Sequence, residues 1–184
     1  MRDLSLHILD LAQNSVRAEA NLVSLSVLLD ERGMLSVIIE DDGCGMSEEL
    51  LARVQSPFAT TRTTRKVGLG IPMMAENCRL AGGDLSIEST PGKGTKLIAI
   101  MDTGSIDCLP LGDLAGTVTA LVTANPDKPD FLLRCASPKG EMQFDTREIR
   151  EALQGVSLGE PEIAAWMMES LQEEIQPIFG GVIL

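Results

Sequence analysis

Residues 34–45 read MLSVIIEDDGCG, which joins an apolar run to a glycine-containing turn. The run from Met34 to Ile39 has the length and the branched side chains of a buried β-strand. Gly43 and Gly45 after it carry no side chain, so the backbone there can come close to a flat ligand. The Asp41 carboxylate at the same place can accept a hydrogen bond from an exocyclic amine. A plain Asp-Gly turn is the alternative that this stretch alone leaves open.

The residues before this strand predict a helix and a first strand. Apolar residues recur at helical spacing from Leu4 to Val16, and the run from Val23 to Leu29 begins by alternating apolar residues with serines. On the helix, Asp10 and Asn14 are four residues apart and therefore share a face. The Asn14 amide oxygen is a ligand type that suits Mg²⁺. The same spacing also occurs on ordinary solvated helix faces.

Two further glycine motifs follow. Ser47 can cap a short helix, and residues 56–67 have no hydrophobic period, which predicts a loop. Gly68-Leu69-Gly70 then opens a helix whose unpaired N–H groups and positive dipole end suit phosphate. Gly92-Lys93-Gly94-Thr95 is a turn that feeds a strand, and the Thr95 hydroxyl there can reach a purine edge. A hairpin turn without a ligand is the alternative for this last motif.

The order of elements predicts an α+β fold, a mixed or antiparallel sheet with helices on one face. After Met101 the sequence becomes loop-like, and we place a domain boundary between residues 102 and 103. A small C-terminal α+β region is predicted over residues 103–184. Its expected elements are strands at 117–124, 131–135 and 141–144, a helix capped by Thr146 that ends at Leu153, and a helix from Pro161 to about Gln176.

The composition excludes several classes of function. The chain has 184 residues, of which 44% are apolar, and this suffices for a packed core. Its formal net charge of -12 opposes binding to nucleic acid, whose backbone is itself anionic. No apolar run approaches the roughly 20 residues that span a membrane, and the first residues lack a secretory leader pattern, so we expect a cytoplasmic protein. The four scattered cysteines signal neither a zinc site nor a disulfide framework.

In this order and spacing, the four motifs resemble the N, G1, G2 and G3 boxes of the GHKL superfamily. The segments PFATT at 57–61 and GGDLSIES at 82–89 are especially similar to histidine-kinase ATP-binding domains. The resemblance covers about residues 4–101. It implies a Bergerat-fold α/β sandwich over residues 1–102 that binds ATP and Mg²⁺.

The resemblance also implies roles for single residues. Asn14 would bind Mg²⁺, Asp41 would accept from the adenine amino group, and Gly45 would lie beside the base. Residues 56–67 would form the ATP lid. Its cationic side chains would meet the γ-phosphate, and ordinary solvated charges are the alternative. The implied nucleotide-binding residues are Asn14, Asp41, Gly43, Gly45, Thr60, Thr61, Arg62, Arg65, Lys66, Gly68, Leu69, Gly70 and Thr95.

Two positions depart from the histidine-kinase pattern. Such kinases carry a phospho-accepting histidine on a dimerising helix well before the N box, whereas only three residues precede Leu4 here. His7 shares the helix face of Asp10, so we interpret it as a packed or pocket-rim residue. Histidine kinases usually have Asn at the position of Asp10, whereas the gyrase, chaperone and MutL members have a Glu that activates water. Asp10 keeps that carboxylate but is one methylene shorter.

Three functions follow from these patterns. The one we favour is a stand-alone phosphotransferase that moves the γ-phosphate of ATP to a separate protein, as the similar anti-sigma-factor kinases do, with Asp10 and Asn14 as its catalytic residues. The second is a binding module in which ATP orders the lid and recruits a regulated target. The third is a slow ATPase with Asp10 as general base. We expect a partner protein and allow a homodimer, but expect neither nucleic acid nor a membrane as partner.

Overall fold

The computed structural model of the protein describes residues 2–55 and 69–180. The lid predictions at Thr60, Thr61, Arg62, Arg65 and Lys66, and the prediction at Gly68, lie outside these ranges. The strands are β1 (Leu22–Leu29), β2 (Met34–Asp41), β3 (Asp84–Thr90), β4 (Gly94–Asp102), β5 (Asp130–Ser137) and β6 (Gly140–Asp145). The helices are α1 (Leu4–Arg17), α2 (Glu48–Gln55), α3 (Gly70–Leu80), α4 (Leu114–Ala124), α5 (Thr146–Leu153) and α6 (Pro161–Phe179).

The strands form one mixed sheet in the order β3-β4-β2-β1-β5-β6. Neighbouring strands are antiparallel except β1 and β5, which are parallel. Every second residue along each of the two central strands, β1 and β2, is buried, and the alternate residues are more exposed. The buried set is Val23, Leu25 and Val27 on β1 and Leu35, Val37 and Ile39 on β2. The helices therefore cover one face of the sheet, which confirms the predicted α+β sandwich.

Helix α1 lies on that covered face and carries the first predicted motif. Its apolar stripe is fully buried at Leu4 and almost fully at Ile8 and Leu11. The Asp3 carboxylate caps its start by accepting the Leu6 N–H at 3.0 Å. The stripe fixes the rotation of the helix, so Asp10 and Asn14 are held at one angle relative to the sheet.

The strand predicted at residues 117–124 is wrong, because the segment belongs to helix α4. Its threonines and valines favour a strand by propensity alone. The Asp113 carboxylate instead caps a helix by accepting the Gly116 N–H at 2.8 Å. Packing between α1 and α6 then overrides the propensity, because the apolar residues also recur at helical spacing. These buried residues are Leu114, Val118, Leu121 and Val122.

The remaining C-terminal elements are found where the sequence predicts them, except for one cap. Asp145 caps α5 in place of Thr146 by accepting the Arg147 N–H at 2.9 Å. The Thr146 hydroxyl instead accepts the Phe131 N–H at 2.8 Å and donates to Asp130 at 2.9 Å. The Thr146 side chain thus ties the start of α5 to β5 rather than capping the helix.

The C-terminal region extends the sheet of the first hundred residues. β5 pairs with β1, and α4 packs on α1. The Leu4 and Ser5 N–H groups at the start of α1 donate to the carbonyls of Pro110 and Leu111 at 2.9 and 2.8 Å. The sheet and the helix packing therefore continue across the boundary predicted at residue 102. That the two regions have separate functions stays a prediction. None of the described helices combines the length and apolar character that crossing a membrane requires.

Candidate functional site

A cavity of about 270 Å³ lies between α1, α2, α3 and the covered face of the sheet. This volume is slightly below the roughly 300–1,000 Å³ of typical small-molecule sites. The predicted residues Asn14, Asp41, Gly45 and Thr95 all line it. The structure therefore brings together residues that are separated by up to 81 positions, since Asn14 and Thr95 are the outermost of them.

Aliphatic side chains from several elements form most of the cavity wall. Such a wall suits the faces of a planar aromatic ring, which gain by leaving water. The side chains include Leu11 of α1, Ile39 of β2, Leu50 and Val54 of α2, Ile71 of α3, Ile87 of β3 and Leu97 of β4.

The Asp41 carboxylate is held in a fixed orientation at one end of the cavity. Its Oδ2 accepts the Ser15 hydroxyl at 2.6 Å, and its Oδ1 accepts the Gly43 N–H at 2.9 Å. Each carboxylate oxygen keeps a further lone pair, so Asp41 can still accept from a ligand. Gly43, predicted to contact the ligand, here orients Asp41. Ser15 was missed by the sequence reasoning, because only the packing of α1 on β2 shows that it faces Asp41.

Asp42, the next carboxylate, serves the backbone instead. It accepts the N–H groups of Asn21 at 2.6 Å and Leu22 at 2.9 Å, at the start of β1. Burial by itself raises the pKa of Asp42, but the hydrogen bonds from Leu22 and Asn21 outweigh it and hold the pKa below its usual value. The two acids of the turn therefore have different roles, and Asp41 is the one that lines the cavity.

Thr95 lies beside Asp41 across the β2–β4 pairing. Its Oγ1 is 2.9 Å from Ser89 Oγ on β3. The preceding residue, Gly94, has a φ of +110°, and a Cβ there would overlap the Asp41 carbonyl. Only glycine fits this close approach, which brings the start of β4 against the end of β2.

Asn14 and Arg17 lie one turn apart on α1 and both line the cavity. Arg17 Nη1 donates to Asn14 Oδ1 at 3.2 Å. Among the described residues of the cavity wall, Arg17 is the only cation. Its fork of donors suits a phosphate, a role that the sequence reasoning did not assign. The signal was present, since a residue three positions after Asn14 shares its helix face.

Asp10 lies directly against the start of α3. A Cβ on Gly70 would overlap Asp10 Oδ2, so a larger residue there would have to displace the Asp10 carboxylate. The structure thus joins two predicted site residues, the candidate base and the candidate phosphate-binding glycine. Leu69, also predicted, precedes α3 and is 59% exposed. Asp10, Leu69 and Gly70 all lie outside the described cavity wall.

His7 of α1 is fully buried where this helix packs against α3. Its Nε2 lies 2.8 Å from Asn77 Nδ2 on α3. Burial lowers the pKa of His7 and outweighs the nearby Asp10 and Asp3, which raise it. The ring is therefore neutral near pH 7 and accepts from the Asn77 amide, which agrees with its interpretation as a packed residue.

Comparison with known proteins identifies the family of the chain. A family model described as histidine kinase-, DNA gyrase B- and HSP90-like ATPase matches residues 2–104. The chain belongs to this ATPase family. The matched range contains every described residue of the cavity wall, so the cavity lies within the histidine kinase-like ATPase domain.

Curated relatives are named as sensor proteins and kinases. The chain is 32% identical over 93 residues to a putative sensor protein of Shewanella frigidimarina, covering 49% of this chain and 14% of the relative. It is 26% identical over 161 residues to the sensor kinase CckA of Brucella abortus, covering 79% of this chain and 16% of the relative. The chain thus spans only a small part of the length of these relatives.

A solved structure shares the fold. The N-terminal domain of a DNA repair protein superposes with a TM-score of 0.51 at 15% sequence identity, covering 79% of this chain and 52% of that one. The likeness extends past residue 104, since 79% of the chain exceeds the part that the family model matches. At this identity it shows the common fold alone.

Proposed function

We propose that the chain is an ATP-dependent phosphotransferase that acts on a side chain of a separate partner protein. Its histidine kinase-like ATPase domain and its kinase relatives support this activity. The partner protein is then either the acceptor of the phosphoryl group or a regulated target in signalling.

The observation that carries the proposal is that α1 makes two chemically different contacts, one with a carboxylate and one with the start of another helix. Ser15 on α1 contacts Asp41, where hydrogen-bond acceptors suit a base. Asp10 on the same helix lies against Gly70, where a helix start suits phosphate. The helix rises about 7.5 Å over these five residues. An elongated ligand with an amino-bearing ring at one end and anionic groups at the other fits this polarity.

The other residues of the site then take definite roles. Asp41 and Thr95 would bind the base, and Gly70 and Arg17 would bind phosphate oxygens. Asn14 would give its amide oxygen to Mg²⁺, which lowers the charge repulsion at the phosphates when bound. Arg17 now donates to that oxygen, so its guanidinium would be free to turn toward a phosphate oxygen if Asn14 held Mg²⁺.

Phosphotransfer at this site has a simple balance. The bond between the γ-phosphorus and its bridging oxygen breaks, and a bond from phosphorus to an acceptor oxygen or nitrogen forms. ADP leaves, and the acceptor gives up one proton. The Asp10 carboxylate, which lies against Gly70, would orient the acceptor or take that proton.

The position of Asp10 also supports a second candidate, an ATPase. In that case the carboxylate would activate water, and free phosphate would be released. A partner protein would then respond to the nucleotide state rather than receive the phosphoryl group.

The cytoplasm is the compartment that we propose for this activity. All four cysteines are free, and two of them, Cys78 and Cys135, are buried. Free thiols of this kind suit a reducing compartment.

Transfer of label from γ-labelled ATP separates the two candidates. The purified chain is incubated with each protein encoded beside it, and we expect label on one of them together with ADP. Asn14→Ala should abolish this labelling, whereas Asn21→Ala, a matched change outside the described cavity wall, should leave it in place. Free phosphate without labelled protein would contradict the phosphotransferase and support the ATPase.

A further inference from the structure

We infer that Ser89 determines base specificity by fixing the direction of the Thr95 hydroxyl. The inference rests on the ATP site described above and adds a residue outside its wall. Thr95 lines the cavity, whereas Ser89 stands behind it on the neighbouring strand, so Ser89 acts through Thr95 and is a positioning residue.

Three polar groups surround the Ser89 hydroxyl. Its oxygen accepts the Met46 N–H at 2.8 Å. It lies 3.0 Å from the Gly94 carbonyl oxygen and 2.9 Å from Thr95 Oγ1. Ser89 has one hydrogen to give, so it donates either to Gly94 or to Thr95, and the two choices set opposite roles for Thr95.

Counting hydrogen bonds decides between the two choices. If Ser89 donates to Gly94, Thr95 can donate to Ser89, and with the Met46 N–H the cluster holds three hydrogen bonds. If Ser89 donates to Thr95, the Gly94 bond is lost and two remain. One net hydrogen bond favours the first arrangement by roughly twofold to tenfold.

The favoured arrangement turns the Thr95 hydrogen away from the cavity. Thr95 then presents only lone pairs to a ligand, next to the acceptor oxygens of its cross-strand partner Asp41. Two adjacent acceptors match an amino group, which carries two N–H donors, and repel a keto oxygen. The site therefore selects a 6-amino purine over a 6-keto purine, and Ser89 supplies part of that selection.

Comparison of ATP with inosine triphosphate tests this directly, because the second carries a keto oxygen where adenine carries its amino group. Calorimetry gives the ratio of the two affinities for the wild-type chain and for Ser89→Ala. We expect the preference for ATP to fall about fivefold in the variant, because the freed Thr95 hydroxyl can donate to the keto oxygen. Ser89→Thr keeps a hydroxyl and should restore the wild-type ratio.

Ser86→Ala is the matched control, since Ser86 lies on the same strand but alternation places it on the opposite face. It should leave the ratio unchanged. Ser89→Ala also removes the acceptor of the Met46 N–H, so thermal unfolding is followed in parallel. Should that variant fail to fold, Thr95→Val tests the same hydroxyl with Ser89 intact and should also reduce the preference for ATP.

The outcomes distinguish this inference from the function it rests on. A folded Ser89→Ala protein with the wild-type ratio would overturn the role of Ser89, as would an unchanged ratio in Thr95→Val. A wild-type chain that binds neither triphosphate would instead refute the ATP site itself.

Discussion

Replacing Asp41 with Asn changes one atom of the cavity from an acceptor to a donor. The amide has one oxygen, and the Gly43 N–H, which now donates to Oδ1, cannot reverse its direction. The Asn oxygen must therefore stay on the Gly43 side, and the NH₂ takes the place of Oδ2 beside Ser15. Ser15 can adapt by turning its hydroxyl to accept. The base would then meet a donor where its own amino group needs an acceptor.

The loss follows from the hydrogen bond removed. A hydrogen bond to a charged group contributes about 1.5–3 kcal/mol, and an opposed pair of donors adds to the cost. Allowing for solvent at a half-buried site, we expect about 1–3 kcal/mol, which is roughly fivefold to 150-fold in the dissociation constant.

Calorimetric titration with ATP measures this change. Asp42→Asn is the matched control, because it makes the same substitution one residue later in a carboxylate that holds the start of β1. We expect Asp42→Asn to lower the unfolding temperature and to leave ATP affinity nearly unchanged in the folded protein. Wild-type ATP affinity in the Asp41→Asn protein would refute the assignment of Asp41 to the base.

Three further predictions address other parts of the site. Asp10→Asn should bind ATP within a few-fold of wild type and keep much of the transfer activity. If this variant lost only free-phosphate release, by about a hundredfold or more, Asp10 would be a base for water. Arg17→Gln should weaken ATP by about fivefold or less and leave adenosine binding unchanged, because the exposed guanidinium acts only on phosphate; equal losses in calorimetry would contradict this. The lowered pKa of His7 means that the unfolded chain binds its proton more readily, so urea denaturation should show stability falling as the pH drops through and below about 6.5. His7→Gln should flatten that part of the profile, and an unchanged slope would refute the buried neutral ring.

Much of the site can be predicted from the sequence, because its motifs are local. An apolar run that ends in an Asp and two glycines predicts both a buried strand and a carboxylate at its end, whatever the rest of the chain does. The pair Asp10 and Asn14 shares a face as soon as residues 4–16 form a helix. The same local reasoning failed at α4, where threonines and valines favour a strand and only the packing between two other helices favours the helix.

The tertiary structure decided which of these residues meet. Ser15 finds Asp41 and Asp10 finds Gly70 only because α1 lies across β2 and against α3. The pairing of β5 with β1 likewise carries the sheet past the boundary predicted near residue 102. A sequence pattern specifies the shape and the buried face of each element, since these depend on neighbours a few residues away. The contacts between elements depend on how all buried faces pack together at once, and a single sequence does not state that arrangement.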